Sequence, residues 1–163
     1  MKERLIELLH GSPHELVTIV LAMMPVSELR GAIPYAIGVG HIPWQEAYVM
    51  AVIANFIPVI PILYFIGPVS KFLMRWRFFD RFFTWLFART RRKGKLIERF
   101  EIIGLVLFVA IPLPVTGAWT GSLAAFLFGV SKKKAFPCIF AGICIAGVVV
   151  TLAAMGVIRI WGL

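Results

Sequence analysis

The chain has 163 residues and a formal net charge of +9, and 60% of its residues are hydrophobic. Soluble domains are nearer ~45–50% apolar, so this composition excludes an ordinary soluble fold and predicts one integral membrane domain over residues 1–163. The positive charge is clustered, because Lys71–Glu101 holds ten basic and three acidic residues and Lys132–Lys134 adds three lysines. Such clusters are typical of cytoplasmic loops that obey the positive-inside rule, and we favour that interpretation over a nucleic-acid surface.

The chain begins with a mixed charged and apolar stretch, Met1–His14, which predicts a short amphipathic helix at the membrane surface. The apolar stretch 16–43 follows and is interrupted near its centre by Glu28 and Arg30. Each side of the interruption is too short to cross a core of about 30 Å. We therefore predict two half-helices that meet at a polar hinge, either as a re-entrant hairpin or as one broken span. The hinge also contains three helix-breaking residues, namely Pro25, Gly31 and Pro34.

A first full span is predicted over residues 47–70, which carry no charge and are long enough to cross a bilayer with some tilt. Asn55 lies within this span, and we interpret it as an interhelical hydrogen-bonding residue, with a role in substrate binding as the alternative. The basic segment 71–101 combines arginines with regularly spaced aromatic residues. This pattern predicts an amphipathic helix along the cytoplasmic face of the membrane.

A second interrupted stretch covers residues 102–131, which carry no charge. A straight helix is excluded at its centre by four residues: Pro112, Pro114, Gly117 and Gly121. A single crossing would place the basic clusters before and after this stretch on opposite sides of the membrane. The positive-inside rule therefore favours a re-entrant hairpin, followed by a full span over residues 135–158.

The predicted order is thus hairpin, span, basic segment, hairpin, span, which makes residues 1–70 and 102–163 two halves of opposite topology. Broken helices at matching positions of two inverted halves point to a binding site near the bilayer midplane in transporters. The fold predicted is all-α and integral to the membrane, with two inverted repeats that each combine a re-entrant hairpin and a transmembrane helix. Two halves of this size enclose little volume, so we also expect a homodimer.

Two motifs carry a resemblance to a known family. Pro25-x-x-Glu28-x-Arg30-Gly31-Ala32-Ile33-Pro34 and Pro112-x-Pro114-x-Thr116-Gly117-Ala118-Trp119-Thr120-Gly121 resemble the small multidrug export protein family. The resemblance covers nearly the whole chain and implies transport. The arrangement of hairpins also resembles the DedA (VTT-domain) superfamily of lipid translocases, which implies a lipid-phosphate substrate and an acid–arginine pair such as Glu28 and Arg30. The second hairpin departs from the DedA pattern because it contains no arginine and no acid.

Glu28 is the candidate proton-binding residue, because apolar surroundings favour the protonated carboxyl whereas a neighbouring arginine favours the charged form. The alternative is a structural ion pair of Glu28 with Arg30. Arg30 could also bind a phosphate through its planar guanidinium. The second hairpin adds Thr116, Trp119 and Thr120 as candidate substrate-binding residues. The function expected is proton-coupled transport of a small or amphiphilic molecule, with lipid-phosphate translocation and an ion channel as alternatives.

An enzyme is not expected, because the sequence has no metalloprotease, serine hydrolase or phosphate-loop motif. No metal and no cofactor are expected either, and Cys138 and Cys144 are interpreted as packing residues. The expected partners are membrane lipids, protons, the transported molecule and a second copy of the chain, without nucleic acid. The expected location is the cell membrane, as a multi-pass protein.

The charge pattern predicts that residues 71–101 and 132–134 both face the cytoplasm. Single cysteines introduced at positions 90 and 133 should therefore react with a membrane-impermeant thiol reagent from the same side. Labelling of the two positions from opposite sides contradicts the re-entrant second hairpin and the inverted halves with it.

Overall fold

The computed structural model describes residues 13–73, 95–112 and 116–161, and all regular secondary structure in these ranges is helical. The prediction of an all-α fold is confirmed for this part of the chain. The surface helix predicted over residues 1–14 and most of the basic segment 71–101 lie outside the described residues. In chain order the helices are α1 (His14–Met23), α2 (Glu28–Gly38), α3 (Trp44–Phe56), α4 (Val59–Leu73), α5 (Lys95–Ala110), α6 (Ala118–Leu127) and α7 (Lys132–Trp161).

Two stretches within the described ranges are long and apolar enough to cross a bilayer, namely Trp44–Val69 and Lys132–Val157, each of 26 residues. They coincide with the two spans predicted from the sequence. Helices α1 and α6 are apolar as well but have only 10 residues each, or about 15 Å. They reach about half of a hydrocarbon core, so neither can cross it alone.

The first of these stretches is not continuous, because the chain leaves helical geometry at Ile57 and Pro58 between α3 and α4. Pro58 has no N–H and therefore cannot continue the hydrogen-bond ladder of α3. The ladder resumes where Ile60 N–H donates to the Ile57 carbonyl at 3.3 Å and Ile62 N–H donates to the Pro58 carbonyl at 3.2 Å. These two hydrogen bonds use the carbonyls of the break itself as acceptors, so helical hydrogen bonding restarts directly after it.

The chain packs into two compact units, one formed by Met1–Asn55 with Ala146–Leu163 and the other by Phe56–Ile145. This division is set by packing and differs from the division of the sequence into halves 1–70 and 102–163. Helix α7 contributes its carboxy-terminal part to the first unit and its amino-terminal part to the second.

In the first unit, α1 and α2 pack against each other as a helical hairpin. The end of this hairpin remote from its turn is held by His14 and Tyr35, whose Nδ1 and hydroxyl oxygen are 3.1 Å apart. Where the chain connects α2 to α3, Ala36 of α2, Ile42 of the connection and Ala47 of α3 form a small buried apolar cluster. This cluster is tied to α2 by a hydrogen bond from the Ile42 N–H to the Ala36 carbonyl.

In the second unit, α6 packs against both α4 and α5. The centre of this packing is Val109 on α5, which is almost fully buried. Two glycines make room for it, because a Cβ built on Gly121 of α6 or on Gly142 of α7 would clash with the Val109 side chain. Small residues at such positions let helices approach closely, which matters where lipid supplies no hydrophobic drive between them.

The second unit also contains an aromatic cluster between α7 and the chain from Phe56, the last residue of α3, to Tyr64 on α4. The Phe56 ring lies 5.1 Å from the Phe140 ring in an edge-on contact, and the Tyr64 ring lies 6.1 Å from the Phe136 ring. Lys132 Nζ lies 4.5 Å from the centre of the Tyr64 ring, within the range of a cation–π interaction. As the chain advances from Phe56 to Tyr64, its partners move back toward Lys132, so the two helices are antiparallel.

Gly142→Ala should destabilise the protein by about 1–3 kcal/mol, as over-packing of a tight core does. The reason is that the new Cβ would lie 2.6 Å from Val109 Cβ and 3.0 Å from the Val106 carbonyl, neither of which is the end of a flexible side chain. Gly156→Ala in the same helix is the matched control, because its Cβ meets nothing within 4 Å. Thermal unfolding of the purified protein in detergent measures both, and equal melting temperatures for the two variants contradict the packing described.

Candidate functional site

The first hairpin turns over the four residues Met24–Ser27, between α1 and α2. The turn is closed by hydrogen bonds of its own, because Ser27 Oγ donates to the Leu21 carbonyl and Glu28 N–H donates to the Met24 carbonyl at 3.0 Å. Val26 at the tip is 87% exposed. The backbone polar groups of the turn are thus paired within the hairpin, whereas its apolar side chain faces outward.

Glu28 stands at the first position of α2 and is only 5% exposed. Its φ of 45° lies in the left-handed region, which costs a residue with a side chain about 1–3 kcal/mol. The carboxyl also lies at the positive end of the α2 dipole, which favours an acid. Backbone strain of this kind clusters at functional sites and switch regions of proteins.

Arg30 follows in the same turn of α2 and is half-buried. Both Glu28 and Arg30 interact with other groups of the protein. Gly31 is half-buried, and a Cβ there would lie 2.7 Å from Ser27 Cβ, so the first turn of α2 can close over Ser27 only because residue 31 is glycine. The remaining predicted hinge residues are exposed, with Pro25 in the turn and Pro34 inside α2.

The second hairpin turns between α5 and α6, and residues 113–115, which include Pro114, lie outside the described ranges. Thr116 Oγ1 donates to the Ile111 carbonyl at 2.7 Å and so bridges the two ends of this turn. Gly117 is buried and has φ 153° and ψ −161°, a region that is nearly exclusive to glycine. Gly117 therefore sets the direction in which α6 begins, as its position in the predicted tip requires.

The other residues predicted for this hairpin lie on or beside it at different depths. Pro112, Trp119 and Thr120 are half-buried. Helix α6 begins earlier than the sequence suggested, so Gly121 lies inside it and serves close packing rather than the turn. Ser122 is fully buried, and its hydroxyl donates to the Ala118 carbonyl at 2.7 Å.

Within the described ranges, one buried side-chain oxygen is left without a hydrogen-bond partner. It is Oδ1 of Asn55, a residue 1% exposed near the end of α3. An unpaired buried acceptor costs about 1–3 kcal/mol. The interhelical hydrogen bond predicted for Asn55 is therefore not made by this oxygen.

The structure groups the predicted residues by hairpin. Glu28, Arg30 and the first hinge belong to the first compact unit, whereas Thr116, Trp119, Thr120 and the second turn belong to the second. The described residues contain no group of three or more His, Cys, Asp or Glu side chains that could hold a metal ion.

A family model described as "Putative small multi-drug export protein" matches residues 28–149. The chain belongs to this family. The match starts at Glu28, directly after the first hairpin turn, and includes the second hairpin turn and both candidate spans up to Val149. Family membership and two helices of spanning length together indicate a membrane protein of the small multi-drug export type. No curated protein and no solved structure matches the chain, so the likeness to the DedA superfamily stays a prediction.

Two features of this protein were not evident in its sequence. The left-handed backbone of Glu28 has no sequence signal, because glutamate is not a residue type that favours a positive φ. The unpaired oxygen of Asn55 was detectable only as a polar residue in an apolar span beside Pro58, a pattern that also fits an ordinary hydrogen bond.

Gly117→Ala should lower the stability of the protein by about 1–3 kcal/mol, because alanine is strained at this φ and ψ. Gly104→Ala, in the helix just before the turn, is the control, since its Cβ meets nothing within 4 Å. The melting temperatures of the two purified variants provide the comparison. A Gly117→Ala protein as stable as the Gly104→Ala protein contradicts the role assigned to Gly117.

Proposed function

We propose that the protein is a proton-coupled exporter of small or amphiphilic molecules in which Glu28 holds the proton. The observation that carries the proposal is the position of Glu28, buried and strained at the turn of a hairpin whose helices have 10 and 11 residues. An ionisable group at such a place in a membrane protein is costly and is retained for function by default. The description of the family as multi-drug export proteins supports export as the proposed activity.

The proposal includes the arrangement in the membrane. Helices α1 and α2 would each extend about 15 Å, or half of the core, so that the turn with Glu28 reaches the middle of the bilayer and the chain returns. The second hairpin is proposed to enter from the cytoplasmic side in the same way, which makes the two halves inverted repeats. We further propose that the protein acts as a homodimer in the cell membrane.

Support for the proposed orientation comes from the second unit. Lys132 Nζ lies over the Tyr64 ring, so α7 begins beside the later part of the first span, which the basic segment 71–101 follows in the sequence. Clusters of Lys and Arg at one end are expected to face the cytoplasm.

The proposed mechanism gives Glu28 two states. When charged, the carboxylate is stabilised by the start of α2 and by positive charge such as that of Arg30. When protonated, it is stabilised by its apolar surroundings. A substrate that prefers one state of the hinge would then shift the proton equilibrium, and a pH gradient would in turn drive the substrate.

Glu28→Gln should abolish transport driven by a pH gradient and leave folding intact, because glutamine keeps the shape and the hydrogen bonds of the side chain but cannot titrate. The measurement is uptake of a panel of cationic, neutral and anionic fluorescent compounds into proteoliposomes, with and without an imposed pH gradient. Unchanged pH dependence in Glu28→Gln makes Glu28 a structural residue.

Arg30→Ala is the companion variant, and it should lower the melting temperature more than Glu28→Gln does, because it removes positive charge from a hinge with a buried acid. If the wild-type protein moves none of the compounds and instead shows single-channel currents in a planar bilayer, the channel alternative replaces the carrier. Exchange of labelled polyprenyl phosphate without movement of the other compounds replaces it with the lipid translocase.

A further inference from the structure

The proposed proton-coupled export does not account for the buried, unpaired oxygen of Asn55. The residue is 99% buried, and its Oδ1 has no hydrogen-bond partner among the described residues. Buried acceptors of native proteins are normally paired, so each exception calls for an explanation such as an ion.

The buried hydroxyls described in the first unit do not satisfy the oxygen of Asn55. Thr18 donates its hydroxyl to the His14 carbonyl at 2.8 Å, and Thr151 donates its hydroxyl to the Gly147 carbonyl at 2.7 Å, so each bonds within its own helix. On α3 itself, Ala47 and Ala51 precede Asn55 at intervals of four residues and share its face. These side chains are small and apolar, so they neither pair with the oxygen nor cover it with bulk.

A second source of negative potential lies at the same end of α3 as Asn55. Helix α3 ends at Phe56, and the last carbonyls of a helix carry a partial negative charge and have no intrahelical donor. Pro58 makes this end more polar, because it has no N–H to give to the carbonyl of Ala54, four residues earlier. A buried amide oxygen therefore stands at the negative end of a broken membrane helix.

We infer that Asn55 Oδ1 and the carboxy-terminal carbonyls of α3 bind a monovalent cation. Neutral oxygens at the carboxy-terminal end of a half-helix suit a single positive charge, such as an alkali ion or the ammonium group of a small molecule. A divalent ion does not fit, because such ions in proteins rely on carboxylates and the described residues contain no acidic cluster. This site is independent of the proton-holding role of Glu28.

The test measures binding rather than transport, so its result does not depend on whether the protein exports anything. The melting temperature of the purified protein in detergent is followed as NaCl, KCl or methylammonium chloride replaces N-methylglucamine chloride at constant chloride. The wild-type melting temperature should rise with at least one of the three cations, since a ligand that binds only the folded state stabilises it. A rise with sodium or potassium assigns the site to an inorganic ion, and a rise with methylammonium alone assigns it to an organic ammonium group.

Asn55→Leu has a similar volume and lacks the oxygen, so it should weaken the apparent affinity for the cation at least tenfold. In N-methylglucamine it should melt at the same temperature as the wild type or higher, because an unpaired polar group has been removed. Asn55→Asp should keep or strengthen the cation response, since it retains an oxygen in the same place and adds charge. Thr151→Val is the matched control, because it removes a buried hydroxyl that is already bonded, and its cation response should equal that of the wild type.

Two results overturn the inference. In the first, none of the three cations raises the melting temperature of the wild type by more than it raises that of Asn55→Leu. The other is an Asn55→Leu protein that melts well below the wild type in N-methylglucamine, which makes Asn55 a structural hydrogen-bonding residue.

Discussion

The structure depends on one constraint, which is that a helix can be interrupted in apolar surroundings only where its freed backbone groups find other partners. Each break in the described chain meets this condition differently. The first hairpin pairs Ser27 with the Leu21 carbonyl, and the second pairs Thr116 with the Ile111 carbonyl. At the turns, serine and threonine hydroxyls thus donate the hydrogen bonds that backbone N–H groups donate to carbonyls within a helix. The break at Pro58 is closed mainly by backbone bonds, and it lies beside the unpaired oxygen of Asn55.

Close packing of small residues is the second organising feature. Lipid is as apolar as leucine, so helices in a bilayer gain little by hiding leucine from it and gain more from close contact. Val109 illustrates this in the second unit, because Gly121 and Gly142 both yield space to one side chain. In the first unit, Gly147 similarly approaches Tyr48 and Val52. Such contacts fix the position of the hairpin helices and with them the geometry of the turns.

Two buried polar groups stand out against this apolar background, and their chemistry differs. Glu28 can change its charge, is held in a strained backbone and lies at the positive start of a helix. Asn55 is always neutral and lies at the negative end of a helix. The first arrangement suits a group that gains and loses a proton, and the second suits a group that accepts a cation. Both residues belong to the first compact unit.

Composition and charge by themselves determined the class of the protein and the order of its elements. Uncharged runs of 24 residues can only be spans or buried helices, and prolines with glycines must interrupt a helix wherever they cluster. The charged pair at Glu28 and Arg30 was visible for the same reason, because any charge is conspicuous in an apolar run. The extent of α6 was less predictable, since a glycine such as Gly121 fits a turn and a close helix contact equally well.

Only the tertiary structure decided which of these residues carry strain, close contact or an unsatisfied group. The left-handed φ of Glu28 depends on how the turn closes, and the role of Gly121 depends on Val109, 12 positions away in the chain. The orphan oxygen of Asn55 depends on every group packed around it. These properties arise between residues that are distant in sequence, whereas periodicity and composition report only on neighbours.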